Sequence, residues 1–180
     1  MSETFHRWGN IVTAGALAVP LAVLAMIVIA RVRRGRGHPA PARTAIADVG
    51  IVAGTVPWVW MILTPAAGPS GLSLIPFHDL AQLATAPWQT VFVQVGGNLL
   101  VLAALGALLP VRSPRFASLA RVALVAALGS ALLETLQYGL RLGRLSSIDD
   151  VVINTAGAVL AALVTRRWWA RPIAAGIVPR

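Results

Sequence analysis

Ile11 to Ala30 is an unbroken run of apolar and small residues without a single charge. As a helix it is long enough to cross the hydrocarbon core of a bilayer. Four comparable stretches follow: Ile46 to Leu63, Val91 to Leu109, Arg121 to Tyr138 and Ile148 to Trp169. In the last of these the uncharged run stops at Thr165. Backbone groups in hydrocarbon must be paired within their own segment, which leaves helices as the economical solution for separate spans of this length. The expected fold is therefore all-α, a polytopic membrane helix bundle of about five transmembrane helices. Composition agrees, since only 12% of the residues are charged and the mean hydropathy is +0.77. A soluble domain carries roughly 25% charged residues.

The net charge of +9 admits two explanations, a nucleic-acid surface or a sided membrane protein. Position decides between them. Every one of the 15 basic residues is arginine, and 12 of them fall in alternate inter-span segments. Five lie between Arg31 and Ala45, Arg112, Arg115 and Arg121 lie between the third and fourth spans, and Arg166, Arg167, Arg171 and Arg180 form the tail. The other side carries only Arg7, Arg141 and Arg144. This asymmetry predicts an outside N-terminus and a cytoplasmic C-terminus, and it accounts for the arginine excess without nucleic acid. The leader before the first span balances Glu3 against Arg7, and the strong positive charge follows the span, so an uncleaved span is expected rather than a signal peptide. Trp8, Trp58, Trp60, Trp88 and Tyr138 fall near outer ends, and Trp168 and Trp169 near the inner end.

The chain divides into residues 1–45, a first helix and arginine-rich loop, residues 46–165, the membrane domain, and residues 166–180, a basic tail. Pro65 to Gln89 is a long loop punctuated by proline and glycine, in which Phe77 to Ala84 is expected to form a short interfacial helix. Small residues four apart, Ala123, Ala127 and Ala131, and again Gly157 and Ala161, predict close helix packing.

Polar residues at membrane depth are costly and face protein or water. Here they gather toward one end. Ser130, Glu134, Gln137 and Arg141 share one helical stripe, as do Asp150, Asn154 and Gly157, while Gln94 and Asn98 stand one turn apart. Arg144, Ser147 and Asp149 lie in the adjoining loop and helix start, and His78 and Asp79 in the long loop. Bland roles remain open for each. Glu134 can pair with Arg141 or Arg144 to close a hairpin, Asp149, Asp150 or Ser147 can cap the fifth helix, and the asparagines can bond between helices. Asp48 is expected to meet the headgroup region or an arginine of the first loop, and His78 to be a surface residue. There is no cysteine, no zinc-spaced histidine pair and no phosphate-loop lysine after Gly96 and Gly97. No cofactor and no metal are expected.

The ordered set Gly97-Asn98-Leu99-Leu100, Ser130, Glu134, Gln137, Arg144 and Asp149-Asp150-Val151-Val152-Ile153-Asn154-Thr155-Ala156-Gly157 resembles the VanZ-like family. Leu74-Ile75-Pro76-Phe77 is similar to the outer-loop motif of that family, and the resemblance covers roughly Ile46 to Val164. Two positions depart from the pattern. Leu102 and Ala104 stand where a phenylalanine and a kinking proline are common before the glycine matched by Gly106, and Ala161 replaces a frequent second glycine. The resemblance implies a small multi-span protein of the bacterial plasma membrane and an association with tolerance of teicoplanin, a lipid-tailed glycopeptide. Gly97, Gly106 and Gly157 would be its structural glycines.

The leading expectation is a membrane-embedded protein that binds or handles an amphiphile at the outer leaflet: an envelope lipid, a lipid-linked wall precursor or a lipoglycopeptide. Asn98, Ser130, Gln137 and Asn154 would serve the polar head, Arg144 and Arg141 would meet phosphate or carboxylate, and Glu134, Asp149 and Asp150 would orient the arginines or accept from the ligand. The alternatives are an intramembrane enzyme using Glu134, Asp149 and Asp150 as acid, base or metal ligands, and a purely structural membrane protein.

Overall fold

A computed structural model describes residues 2–170, with side chains described from residue 18 onward. Arg171 and Arg180, counted above in the basic tail, lie outside the described residues, as do the side chains of Arg7 and Trp8. Helix α1 runs Ser2–Gly35 and α2 Pro41–Leu63. Strand β1 (Gly71–Ser73) and the short helix α3 (His78–Leu83) follow in the long loop. Then come α4 (Trp88–Val101), α5 (Ala103–Arg112), α6 (Leu119–Gly139), strand β2 (Leu145–Ser147) and α7 (Ile148–Val164).

Among the described residues three helices are long and apolar enough to cross a membrane: α2, the α4–α5 pair taken together, and α6. The distribution of side chains is that of a membrane protein. Leu124, Leu128 and Leu132 point outward from α6, Val52, Val56 and Trp60 from α2, and Leu160, Leu163 and Val164 from α7. Ser130, Gln137, Asp149 and Asn154 are buried instead. In water this arrangement would expose the costly surface and hide the cheap one. In hydrocarbon it is the favourable one.

Three expected boundaries change. The third span is not one helix but two, interrupted at Leu102, whose φ of −113° and ψ of 10° leave the helical region. The interruption occurs without a proline, since Leu102, Ala103 and Ala104 stand at the break. The fifth helix ends at Val164, and a 3-10 turn occupies Arg166–Trp168. Thr165 ends it by donating its hydroxyl to the Ala107 carbonyl at 2.7 Å, which ties the end of α7 to α5. The fold is also not wholly helical, because β1 and β2 pair in parallel, Gly71 opposite Leu145 and Ser73 opposite Ser147.

Helix α7 is the hub, packed on α4, α5 and α6, while α2 packs on α5 and α1 on α2. Its contacts are backbone against backbone. A Cβ on Gly157 would stand 2.0 Å from the Leu99 carbonyl oxygen, and one on Gly106 2.1 Å from that of Ala158. Glycine is required at both crossings because no side chain fits there. The two contacts lie on opposite sides of the Leu102 interruption, so α7 holds both halves of the third span. Helix α2 approaches α5 through Gly50 and Gly54, whose added Cβ atoms would meet Leu108 and Ala104. This small-residue pair, four apart, is not among those singled out from the sequence. The alanine stripe of α6 was misjudged: its buried face is Val122, Ala126, Ser130, Leu133 and Gln137, one position away from Ala123, Ala127 and Ala131.

Candidate functional site

Where α2 and α6 end and α4 and α7 begin, a cavity of about 500 Å³ opens between them, roofed by the segments that carry β1, α3 and β2. Its wall includes Asn98, Glu134, Gln137, Arg144, Asp149 and Asp150 from the predicted set, with Gln94, Gly97 and Asp79 beside them. Four of the six acidic residues of the chain line this one space, against a single arginine.

The carboxylates have distinct tasks. Asp149 is buried, and its oxygens accept from the backbone N–H of Phe77 at 2.6 Å, Asp79 at 3.0 Å and Leu80 at 3.1 Å. It therefore fastens the start of α3 to α7 and is fully engaged. The cap of α7 is Ser147, whose hydroxyl accepts from the Asp149 N–H at 3.1 Å. The Ser147 hydroxyl also donates to Asp79, which accepts from Ser73 at 3.2 Å as well. Asp79 thus locks the two loops together, a role invisible in sequence because its partners lie 6 and 68 positions away. Its neighbour His78 is exposed and meets only Gln82, at 2.9 Å, as a surface residue does.

Glu134 and Asp150 differ from these two. Glu134 Oε2 accepts from the Ser147 N–H at 2.9 Å, and Asp150 Oδ1 accepts from the Asn98 amide. Among the described residues the second oxygen of each has no protein donor, and both residues line the cavity. Gln137 Nε2 donates to the Ile62 carbonyl at 3.1 Å. Arg144 reaches the carbonyls of Met61 at 3.3 Å and Thr64 at 3.4 Å, at the exposed end of α2. The ion pair of Glu134 with Arg141 or Arg144 is not formed, because among the described residues the ion pairs are those of Asp48 with Arg33 and Arg112. Asp48 does meet an arginine of the first loop region, as expected, and adds one from α5.

Three predicted residues stand apart from the cavity. Helix α6 ends at Gly139, and Arg141 follows in the left-handed region with φ 51°, exposed and off the stripe it would share in a longer helix. Ser130 and Asn154 are buried below the cavity and bond to each other at 2.8 Å, holding α6 against α7. The stripe of α7 is thus divided among neighbours: Asp150 to Asn98 of α4, Asn154 to Ser130 of α6, and Gly157 to Leu99 of α4. Gly97 packs on nothing, with no heavy atom within 4 Å of an added Cβ. It keeps the cavity wall open, whereas Gly106 and Gly157 make close contacts.

Chemically, the cavity offers two free carboxyl oxygens and one guanidinium to a guest. No group of three or more His, Cys, Asp or Glu residues with the geometry to hold a metal ion occurs among the described residues. A family model described as VanZ/LLP1 matches residues 51–170, a stretch that contains every residue lining the cavity. No curated protein and no solved structure matches the chain.

Proposed function

This chain belongs to the VanZ/LLP1 family, and on that premise we propose that it binds the polar head of an amphiphilic envelope molecule at the outer leaflet of the bacterial plasma membrane. The molecule is an envelope lipid, a lipid-linked wall precursor or a lipoglycopeptide, and the family association with teicoplanin tolerance fits that class. The protein crosses the membrane five times, with α1 and α7 joining the three longer apolar spans. Its arginine-rich end lies in the cytoplasm and its cavity outside, an orientation that the distribution of arginines supports.

One observation carries the reading: Glu134 and Asp150 line a shared cavity of about 500 Å³, and each has an oxygen without a protein donor among the described residues. That volume lies in the range of small-molecule sites. Such oxygens accept from hydroxyls, amides or an ammonium group, and Arg144 beside them suits a phosphate or carboxylate on the same head. Asn98 positions Asp150, and Ser147 positions Glu134. The apolar outer faces of α4 and α6 leave the ligand's tail in lipid.

The test is lipoglycopeptide susceptibility of a host deleted for the gene and complemented with wild type, Glu134→Gln or Asp150→Asn at matched membrane levels. Restored tolerance with wild type and a loss of at least about fourfold with either substitution supports the reading; each changed carboxyl–ligand bond contributes on the order of 1 kcal/mol. Equal behaviour of all three proteins would sink it.

A further inference from the structure

A second hollow lies at the opposite end of the molecule. Helix α7 has Asp149 and Asp150 of the acidic cavity at its start and Thr165 just past its end, so the two sites are about 25 Å apart along it. This hollow measures about 800 Å³ and is lined by Arg43, Thr165, Arg167, Trp168 and Trp169 with apolar residues of α2 and α5. Arg43 and Ile46 lie before the stretch that matches the family, so this site is formed partly by chain the family pattern does not cover.

We propose that this hollow binds the headgroup of an anionic glycerophospholipid from the leaflet at the arginine-rich end. The argument is charge complementarity in a fixed frame. Among the described residues no carboxylate lines the hollow, and the nearby Asp48 is engaged by Arg33 and Arg112. Among the described residues Arg43 and Arg167 form no ion pair, which leaves both guanidinium groups available for phosphate. Arg167 is held over the Trp168 ring at 4.2 Å, which orients its planar fork. The wall is tied down by Thr165 to Ala107 at 2.7 Å, by the Trp169 indole to Ala162 at 3.2 Å, and by the Ala170 N–H to Pro110 at 2.9 Å. Tryptophan at this depth belongs to the bilayer interface, and basic pockets between helices are the form that recognition of acidic lipid takes. The exposed apolar flank of α7, Leu160, Leu163 and Val164, leads the acyl chains away into hydrocarbon.

The full-length protein, purified in detergent, is incubated with mixed micelles of phosphatidylcholine containing a minor share of phosphatidylglycerol, recovered, and its retained lipids counted by mass spectrometry. Phosphatidylglycerol should be enriched on the order of tenfold over its share, and the double variant Arg43→Gln/Arg167→Gln should lose most of that enrichment. The variant Arg31→Gln/Arg34→Gln removes the same charge from the same end, outside the hollow, and should keep it. If both double variants fall alike, the attraction is diffuse and the pocket is refuted; retention by the first variant refutes it equally. A second measurement needs no arginine change. Brominated phosphatidylglycerol should quench tryptophan emission more than brominated phosphatidylcholine, and the difference should vanish in Trp168→Phe/Trp169→Phe. Equal quenching by the two lipids overturns the proposal. Neither readout involves Glu134 or Asp150, so its failure leaves the outer cavity untouched.

Discussion

At Asp149 three backbone N–H groups from a separate loop converge on one buried carboxylate. Charge-assisted bonds of this kind contribute about 1.5–3 kcal/mol each, and removing their acceptor leaves α3 held only through Asp79. Asp149→Ala should lower stability by about 3 kcal/mol and expose the segment between α2 and α4 to protease, read as an earlier thermal unfolding transition and a new cleavage site there. Glu134→Gln and Asp150→Asn should melt close to wild type, because each retains its acceptor oxygen and its fixed neighbour. Sequence could pick out these acidic residues by their depth and stripe. It could not rank them, since the difference between an occupied and an open carboxylate lies in which amides arrive from distant loops. The same holds for Asp79, whose partners lie in other elements, and Arg141 leaves the α6 stripe because the helix ends at Gly139.

Among the elements, α7 organises the bundle through two glycine crossings. At Gly157 an added methyl would overlap the Leu99 carbonyl, so α7 and α4 must separate, and overpacking of that kind costs about 1–3 kcal/mol. Gly157→Ala should therefore destabilise by about 3 kcal/mol and, by shifting Asp150 from Asn98, weaken tolerance as well. Gly97→Ala is the contrast, because its methyl meets nothing and helix propensity favours alanine by up to about 1 kcal/mol. Its stability should hold or rise while the cavity narrows, and thermal melting in detergent of the two variants side by side checks both. Three of the spans, α2, the α4–α5 pair and α6, were legible from apolar length alone. The interruption at Leu102 was not, because no proline marks it. The break is instead accompanied by α7 packing against both halves of the third span, a tertiary feature with no local signature.

For the whole molecule, the separation of charge supports the proposed placement. Four carboxyl groups line one end of the bundle, and arginines crowd the other. The chain has no cysteine, so single cysteine probes report without background. Thr85→Cys, in the exposed loop beside the cavity, should react with a membrane-impermeant maleimide in intact cells, and Gly35→Cys only after permeabilisation. The reverse pattern would invert the orientation proposed here and move the cavity to the cytoplasm. The sequence by itself determined that this chain is a helical membrane protein of its family, where three of its apolar spans lie and that its arginines gather in alternate segments, because apolar run length and arginine position act locally and one segment at a time. Only the tertiary structure decided which carboxylates stay open, that a strand pair and Asp79 close the roof, and that a basic hollow forms at the far end. Each of those depends on groups far apart in the chain meeting within hydrogen-bond or packing distance, and spacing along one helix carries no record of that.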